Sequence, residues 1–550
     1  MTNQKRFGKT TSQPVKGANA KKVAKFGLFG SIAIVFTSII GTGVFFKNKS
    51  IFQNNNGNPW GVLLSWGLVG LLTLATAFSY AEISKVKTKS DNSGLPGWIE
   101  RYIGYRFSRF LKLAYPLFYY GLFSVVLSVF AGEAFFNMFP TLIPGTNINL
   151  PGKIFLPNFG LVLVVGFALV ALFTVVNLLS SMASAKISKY FSFVKFGSLS
   201  FIMIAALVLF FRSPTNNMFD WNNYITVDPF LDKDDLGGQF SGLGIINSAP
   251  AVMFAFDGFL IVGNLRKEVN NPEKTVPWSI VLSMIICGAM YMIIAVIQLL
   301  AGVASPYLVF QLLFANNLQA ANGFVLFVSM LIFISLFAST NSNVLGCVHS
   351  CQAVIEEEII FGWRWFKKIA NGKRSNVFGG AVLGAFITLF WFLVAGIPSI
   401  VFNTDNVIDG MGNTLVIFFF VIYGIVPLFS LKWWCKVPES EVKHSKSQIF
   451  TAPIGAIACV SVSLYVMVYT FFIEPIIKGL NAPFTEWGLF FSGSQLLMWE
   501  ALIVFWLTVV LFFTLPFIND LLLKKYDKHN KQALIWQKPK HEFNPNKTNI

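Results

Sequence analysis

The chain has 550 residues, of which 55% are hydrophobic and only 12% are charged. A soluble protein carries about a quarter charged residues, so this composition excludes a set of soluble domains. The 60 Phe and 14 Trp residues exclude a disordered chain. The net charge is +17, and the charged residues lie between apolar runs. There they are expected to set the membrane topology and to contact anionic lipid headgroups rather than nucleic acid.

Apolar runs long enough to cross a bilayer recur twelve times along the chain. In lipid a spanning segment must satisfy its own backbone hydrogen bonds, so each run is predicted to be a helix. We therefore expect an all-α integral membrane protein with twelve transmembrane helices. The predicted spans are 27–45, 60–84, 111–136, 158–179, 187–211, 243–265, 278–300, 323–349, 377–396, 413–431, 449–472 and 495–518.

The basic residues predict the orientation. If the N-terminus is inside, 36 of the 42 Lys and Arg residues fall on the inner side, as the positive-inside rule requires. We expect a plasma-membrane protein with both termini in the cytoplasm. The basic tails are 1–26 and 519–550, and an acidic extracellular loop covers 212–242.

Two predicted spans contain residues that weaken a helix near mid-membrane. Gly41, Thr42 and Gly43 interrupt the first span, while Asp257 and Gly258 interrupt the sixth. Close packing between helices is the alternative explanation for the paired glycines. The two interruptions lie five spans apart, however, and paired broken helices in corresponding positions point to a binding site between inverted repeats.

This spacing divides the chain into two repeats of five helices. The first repeat covers 27–211 and the second, inverted repeat covers 243–431, followed by two further helices within 449–518. Each repeat would then begin with its broken span, which places the two interruptions together at the centre of the bundle.

The interruptions suit a ligand that carries both charges of an amino acid. The N–H groups of Thr42 and Gly43 would bind a carboxylate at the start of a helix, and the carbonyls of Phe254 and Ala255 would bind an ammonium. Asp257 would bind an ammonium, bind a cationic side chain or carry a proton. The alternative for Asp257 is a cap on the second half of the sixth span.

Lys195 is a second charge within a predicted span. It would reach out to the cytoplasmic interface, act as a proton-linked switch, or replace a bound sodium ion with its fixed charge. The chain contains no HExxH sequence, no P-loop and no GxSxG sequence with triad partners. We therefore expect a protein that is not an enzyme and that has no cofactor and no metal site.

Several separated motifs resemble those of the amino acid–polyamine–organocation (APC) superfamily of transporters. They lie in order along the first eight predicted spans. The motifs are IIGTGVF at 39–45, FSYAE at 78–82, FAFDGF at 254–259, EVNNPEKTVP at 268–277 and STNS at 339–342.

The resemblance implies a five-plus-five inverted-repeat fold, similar to that of the leucine transporter, with spans 1 and 6 broken and two additional C-terminal helices. It also implies substrate contacts from the broken spans and a lysine near the sodium site of sodium-dependent relatives. The matching substrate positions here are Ile39, Thr42, Gly43, Phe254, Ala255 and Asp257. The matching lysine is Lys195, with Ser339 and Ser342 as its expected neighbours.

We therefore expect a secondary active transporter that moves amino acids by alternating access. Proton-coupled uptake is favoured, with the proton as coupling ion and a small-molecule amino acid and membrane lipids as the expected partners. Three alternatives remain open at this point: an amino acid exchanger, a receptor that binds an amino acid without transporting it, and an inorganic cation transporter on the same fold. The sequence does not predict an oligomeric state.

Overall fold

The computed structural model contains only helices, turns and connecting segments in the part of the chain that it describes. The prediction of an all-α fold is thus confirmed. The described residues are 27–41, 43–85, 94–136, 138, 159–179, 181–212, 240–301, 310, 313–314, 317–371, 377–402, 406–434, 448–484 and 497–527. The 1–26 tail, most of the 212–242 loop, and residues 528–550 lie outside them.

Sixteen helices in the described residues account for the architecture discussed below. In chain order they are α1 (Leu28–Ile39), α2 (Gly43–Asn54), α3 (Pro59–Ser84), α4 (Gly94–Tyr102), α5 (Tyr105–Phe136), α6 (Phe159–Leu179), α7 (Ser181–Arg212), α8 (Gly242–Phe256), α9 (Ile261–Asn264), α10 (Pro272–Ala301), α11 (Leu318–Glu356), α12 (Trp363–Ala370), α13 (Phe378–Phe402), α14 (Asn406–Trp434), α15 (Ile449–Lys478) and α16 (Met498–Tyr526).

Eleven candidate spans in the described residues are long and apolar enough to cross a bilayer, with α8 and α9 counted as one. This confirms a multi-pass membrane protein. The first predicted span corresponds in part to α1, which has only 12 residues, so the count of twelve spans stays a prediction. The inverted repeat and the domain boundaries at 27–211, 243–431 and 449–518 also stay predictions.

The helices form a bundle around α5. In its most apolar stretch 94% of α5 is buried, compared with 33% for α16. Large apolar side chains on α6, such as Val164 and Val175, are more than half exposed. An apolar outer surface is what a bilayer solvates, so α6 and α16 belong to the lipid-facing periphery and α5 to the protein core.

Helix ends lie within the first and the sixth predicted span. Helix α1 ends at Ile39 and α2 begins at Gly43. Helix α8 ends at Phe256, and a turn leads to α9. Gly258 in that turn has a φ of +93°, a backbone conformation that side-chain-bearing residues rarely adopt.

The two interruptions lie against each other. A Cβ atom on Gly43 would overlap the backbone of Ala255, so the start of α2 and the end of α8 approach backbone to backbone. Helix α2 packs on α8, while α1 packs on α10, α7 and α11. Close packing thus explains Gly43, and it does so at the point where both helices are interrupted.

Candidate substrate site between two interrupted helices

A cavity of about 40 Å³ lies between the two interruptions. Four of the six predicted substrate residues line it: Ile39, Gly43, Phe254 and Asp257. Ala255 lies behind this surface, against Gly43, and Thr42 lies outside the described residues. A space of this size holds a few water molecules, so an amino acid requires the helices to move apart.

The side walls of the cavity come from α5 and α11. Tyr119 and Tyr120 of α5 line it together with Asn343 of α11. The chain of α5 adopts a π-helical turn over Tyr115–Tyr120, with Pro116 near its start. Such turns are frequent at functional sites. These wall residues were not predicted from the sequence; Pro116 within an apolar run indicates only a local irregularity of the helix.

Asp257 places a carboxylate in the cavity wall. Its side chain is buried, with 7% exposure. The Tyr119 hydroxyl donates to Oδ2 at 2.8 Å, and the Tyr423 hydroxyl of α14 donates to Oδ1 at 3.4 Å. The ion pairs found among the described residues do not include Asp257, so hydroxyl groups rather than a cation hold this acid.

The capping role considered for Asp257 is wrong. The residue at the N-cap of α9 is Leu260, and no side chain caps that helix end. Asp257 is the first residue of the turn that leads to α9, and its oxygens accept hydrogen bonds from Tyr119 of α5 and Tyr423 of α14 instead. Its carboxylate is therefore held by the opposite wall of the cavity.

The backbone carbonyls at the interruptions already accept hydrogen bonds. The Tyr291 hydroxyl of α10 lies 3.3 Å from the Ile39 carbonyl and 3.0 Å from the Ala255 carbonyl. The Asp257 N–H donates to the Phe254 carbonyl at 3.2 Å. The sequence assigned an ammonium to the carbonyls of Phe254 and Ala255, whereas the side chain of Asp257 is the acidic acceptor that lines the cavity.

Lys195 is fully buried in α7, so the prediction that it reaches the cytoplasmic interface is wrong. Its Nζ donates to the Thr37 carbonyl at 2.7 Å, to Ser339 Oγ at 2.6 Å and to the Ile40 carbonyl. These acceptors are the last carbonyls of α1 and a hydroxyl of α11. Lys195 therefore fastens the end of α1 to two neighbouring helices.

The two serines predicted beside Lys195 have different neighbours. Ser339 contacts Lys195 and also lines the cavity, so it connects the two. Ser342 lies about one helical turn further along α11, and its hydroxyl is 3.0 Å from that of Ser188 on α7. It thus joins α7 to α11 through a different contact.

An aromatic and ionic layer lies on one side of the cavity. The rings of Phe123 and Phe254 stack with their centroids 6.0 Å apart. Lys47 Nζ lies 4.8 Å from the centre of the Phe254 ring and 3.3 Å from Asp409 Oδ2. Both charged side chains are fully buried. The sequence did not predict this pair, because 362 residues separate its members.

Comparison with known proteins gives a consistent family. The sequence matches the family described as amino acid permease over residues 26–512. It is 25% identical to a low-affinity methionine permease of Saccharomyces cerevisiae over 514 residues, which cover 91% of this chain and 84% of the permease.

Two further relatives match over shorter stretches. The cystine/glutamate transporter of Homo sapiens is 26% identical over 329 residues, which cover 58% of this chain and 59% of that protein. A serine/threonine exchanger of Bacillus subtilis is 26% identical over 275 residues, which cover 49% of this chain and 52% of the exchanger.

These relatives are named as permeases, transporters and exchangers, which confirms the prediction that the chain is not an enzyme. The family match covers most of the chain, including both interrupted helices and the cavity between them. The chain therefore belongs to the amino acid permease family of the APC superfamily.

Proposed function

We propose that this protein carries amino acids across the plasma membrane by alternating access, with both termini in the cytoplasm. The observation that carries the proposal is the shared cavity at the two helix interruptions, which has a carboxylate in its wall. Interrupted helices supply unpaired backbone groups at mid-membrane only where they line a cavity. Membership of the amino acid permease family supports an amino acid as the substrate.

The substrate's two charges are assigned to two different groups. The α-carboxylate binds at the start of α2, near the Gly43 N–H, where a helix N-terminus favours an anion. The α-ammonium binds the Asp257 carboxylate. This assignment is supported by two contacts: the Tyr291 hydroxyl engages the Ala255 carbonyl and the Asp257 N–H engages the Phe254 carbonyl, the two carbonyls that the sequence assigned to the ammonium.

The aromatic and ionic layer beside the cavity is one reason to propose that helices move during transport. A substrate enters only after the Phe123 and Phe254 rings separate, or after the other side of the cavity opens. The buried pair of Lys47 and Asp409 joins α2 to α14, so opening on this side also separates two charges. With the N-terminus inside, this layer faces the extracellular space.

Lys195 is proposed to couple transport to protons. Its protonated Nζ holds the Thr37 and Ile40 carbonyls at the end of α1, and loss of the proton would remove charge-assisted hydrogen bonds from that end. Ser339 contacts Lys195 and also lines the cavity. A change in the protonation of Lys195 therefore acts directly beside the substrate site.

Uptake into proteoliposomes tests the proposal. We expect uptake of a labelled amino acid into vesicles that contain no amino acid, and we expect an inward proton gradient to increase it. Uptake that requires an internal amino acid would assign exchange instead. Binding without uptake or counterflow would assign a receptor, and binding of potassium or sodium without amino acid binding would assign a cation transporter.

A further inference from the structure

A second cavity lies near the C-terminal end of α11, and its lining shares no residue with that of the substrate site. Its volume is about 570 Å³, and it is bounded by α11, α12 and the start of α13. The lining residues include the three cations Arg364, Lys367 and Lys368 but no carboxylate. The amide side chains of Gln352 and Asn371 also line it, so it offers positive charge together with hydrogen-bond donors.

Helix α12 lies at the boundary between the bilayer and water. Trp365 is half exposed, and its ring centre is 6.3 Å from that of Phe386 on α13, which is 54% exposed. An exposed Phe on a spanning helix faces lipid, and Trp is enriched at the level of the headgroups. Lys368 is one helical turn from Trp365 on the same exposed face, so its ammonium lies close to the level at which Trp365 is expected to meet the headgroups.

The three cations differ in how their charge is balanced. Arg364 Nη2 lies 2.7 Å from Asp527 Oδ1, and Lys367 Nζ lies 2.9 Å from Glu358 Oε1. Lys368 takes part in none of the ion pairs found in the described part of the chain. An anion in the cavity would therefore meet Lys368 as the lining cation that has no carboxylate partner among the described residues.

The segment that carries these cations is fixed in place. Asn519 of α16 accepts a hydrogen bond from the Phe361 N–H at 2.7 Å and donates to the Ile359 carbonyl at 2.9 Å. The Trp363 indole donates to Asp527 Oδ2 at 2.7 Å. The cavity wall is thus anchored to the end of α16, and it presents its charges without first having to be ordered by a ligand.

We propose that this cavity binds the phosphate-bearing headgroup of an anionic lipid. The cation-lined walls select a phosphate, and Trp365 beside Phe386 places the site at the bilayer surface, where a lipid supplies that phosphate. This inference concerns a second site and does not depend on which amino acid the protein carries.

The test compares two lipids and inorganic phosphate as ligands of the purified full-length protein in detergent. A ligand that binds the folded protein raises its melting temperature, and titration gives an apparent Kd. We expect phosphatidylglycerol to raise the melting temperature more than phosphatidylcholine does. Lys368→Gln should weaken the apparent Kd for phosphatidylglycerol about fivefold, the loss expected when one lysine that contacts the anionic headgroup loses its charge.

Lys432→Gln is the matched control, because Lys432 is an exposed lysine at the end of α14 and outside the cavity lining; it should leave the Kd unchanged. Equal responses to the two lipids would overturn the proposal, as would an unaltered Kd in Lys368→Gln. Inorganic phosphate that reproduces the full response in a Lys368-dependent manner would overturn the lipid assignment and identify a soluble anion as the ligand.

Discussion

Replacing Asp257 by Asn tests the assignment of the substrate's ammonium with little change of shape. In the structure the Tyr119 hydroxyl lies 2.8 Å from Oδ2 of Asp257. In the variant the amide oxygen can accept the same hydrogen bond, while the amide NH₂ faces the Tyr423 hydroxyl. The substitution therefore removes the charge and keeps the hydrogen bonds of the wall. A hydrogen bond between charged groups contributes about 1.5–3 kcal/mol, so the Kd should rise about 10- to 150-fold.

The assay measures the Kd of two ligands for two proteins, the unchanged protein and Asp257→Asn. The ligands are the best-binding amino acid and its α-hydroxy acid, in which a hydroxyl replaces the ammonium. We expect Asp257→Asn to weaken binding of the amino acid and to leave the weaker binding of the hydroxy acid nearly unchanged. An equal loss with both ligands would refute the assignment, because the carboxylate would then act on something other than the ammonium. Tyr119→Phe keeps the charge and serves as the control, with a smaller loss for the amino acid.

Three further substitutions test the mechanism and the packing. Lys195→Met should abolish the response of uptake to an imposed proton gradient while substrate binding is retained; an unchanged response would remove Lys195 from the coupling step. Gly43→Ala should abolish uptake because its Cβ overlaps the Ala255 backbone, whereas Gly197→Ala, which meets open space, should transport normally at equal membrane abundance. Asp409→Asn should lower the melting temperature, because it removes the carboxylate beside a buried Lys47, at a cost of about 3–5 kcal/mol. Replacing both members of that pair with apolar residues should cost much less, and equal losses in the single and double variants would contradict this account.

The positions of the helices could be predicted because apolar runs and local backbone breakers act over a few residues. The interruption in the sixth span follows from Asp257 and Gly258, whose preferences are local. Helix ends were less predictable. The run at 323–349 predicted a span, whereas the helix covers Leu318–Glu356, because backbone hydrogen bonding continues into the polar interface where hydropathy carries no signal.

The walls of the substrate site could not be predicted, because they depend on contacts between distant parts of the chain. Tyr423 contacts Asp257 although 166 residues separate them in the sequence. No local sequence pattern indicates such a contact. The direction of the Lys195 side chain could not be predicted for the same reason. A lysine at that position can extend toward water or turn inward, and its direction depends on the carbonyls of Thr37 and Ile40, which the fold brings to it.

The hydrogen bonds around the interruptions show which contacts the proposed movement would have to break. Lys195 holds the end of α1 to α7 and α11, and Tyr291 of α10 contacts the ends of both α1 and α8 through the Ile39 and Ala255 carbonyls. Moving either interrupted helix breaks bonds that are buried, and an unmade buried bond costs about 1–3 kcal/mol. A ligand shifts a conformational equilibrium only through contacts that differ between states. Under the proposed assignment, an amino acid bonds the start of α2 and Asp257 beside the end of α8, so its contacts change whenever these two helices move relative to each other.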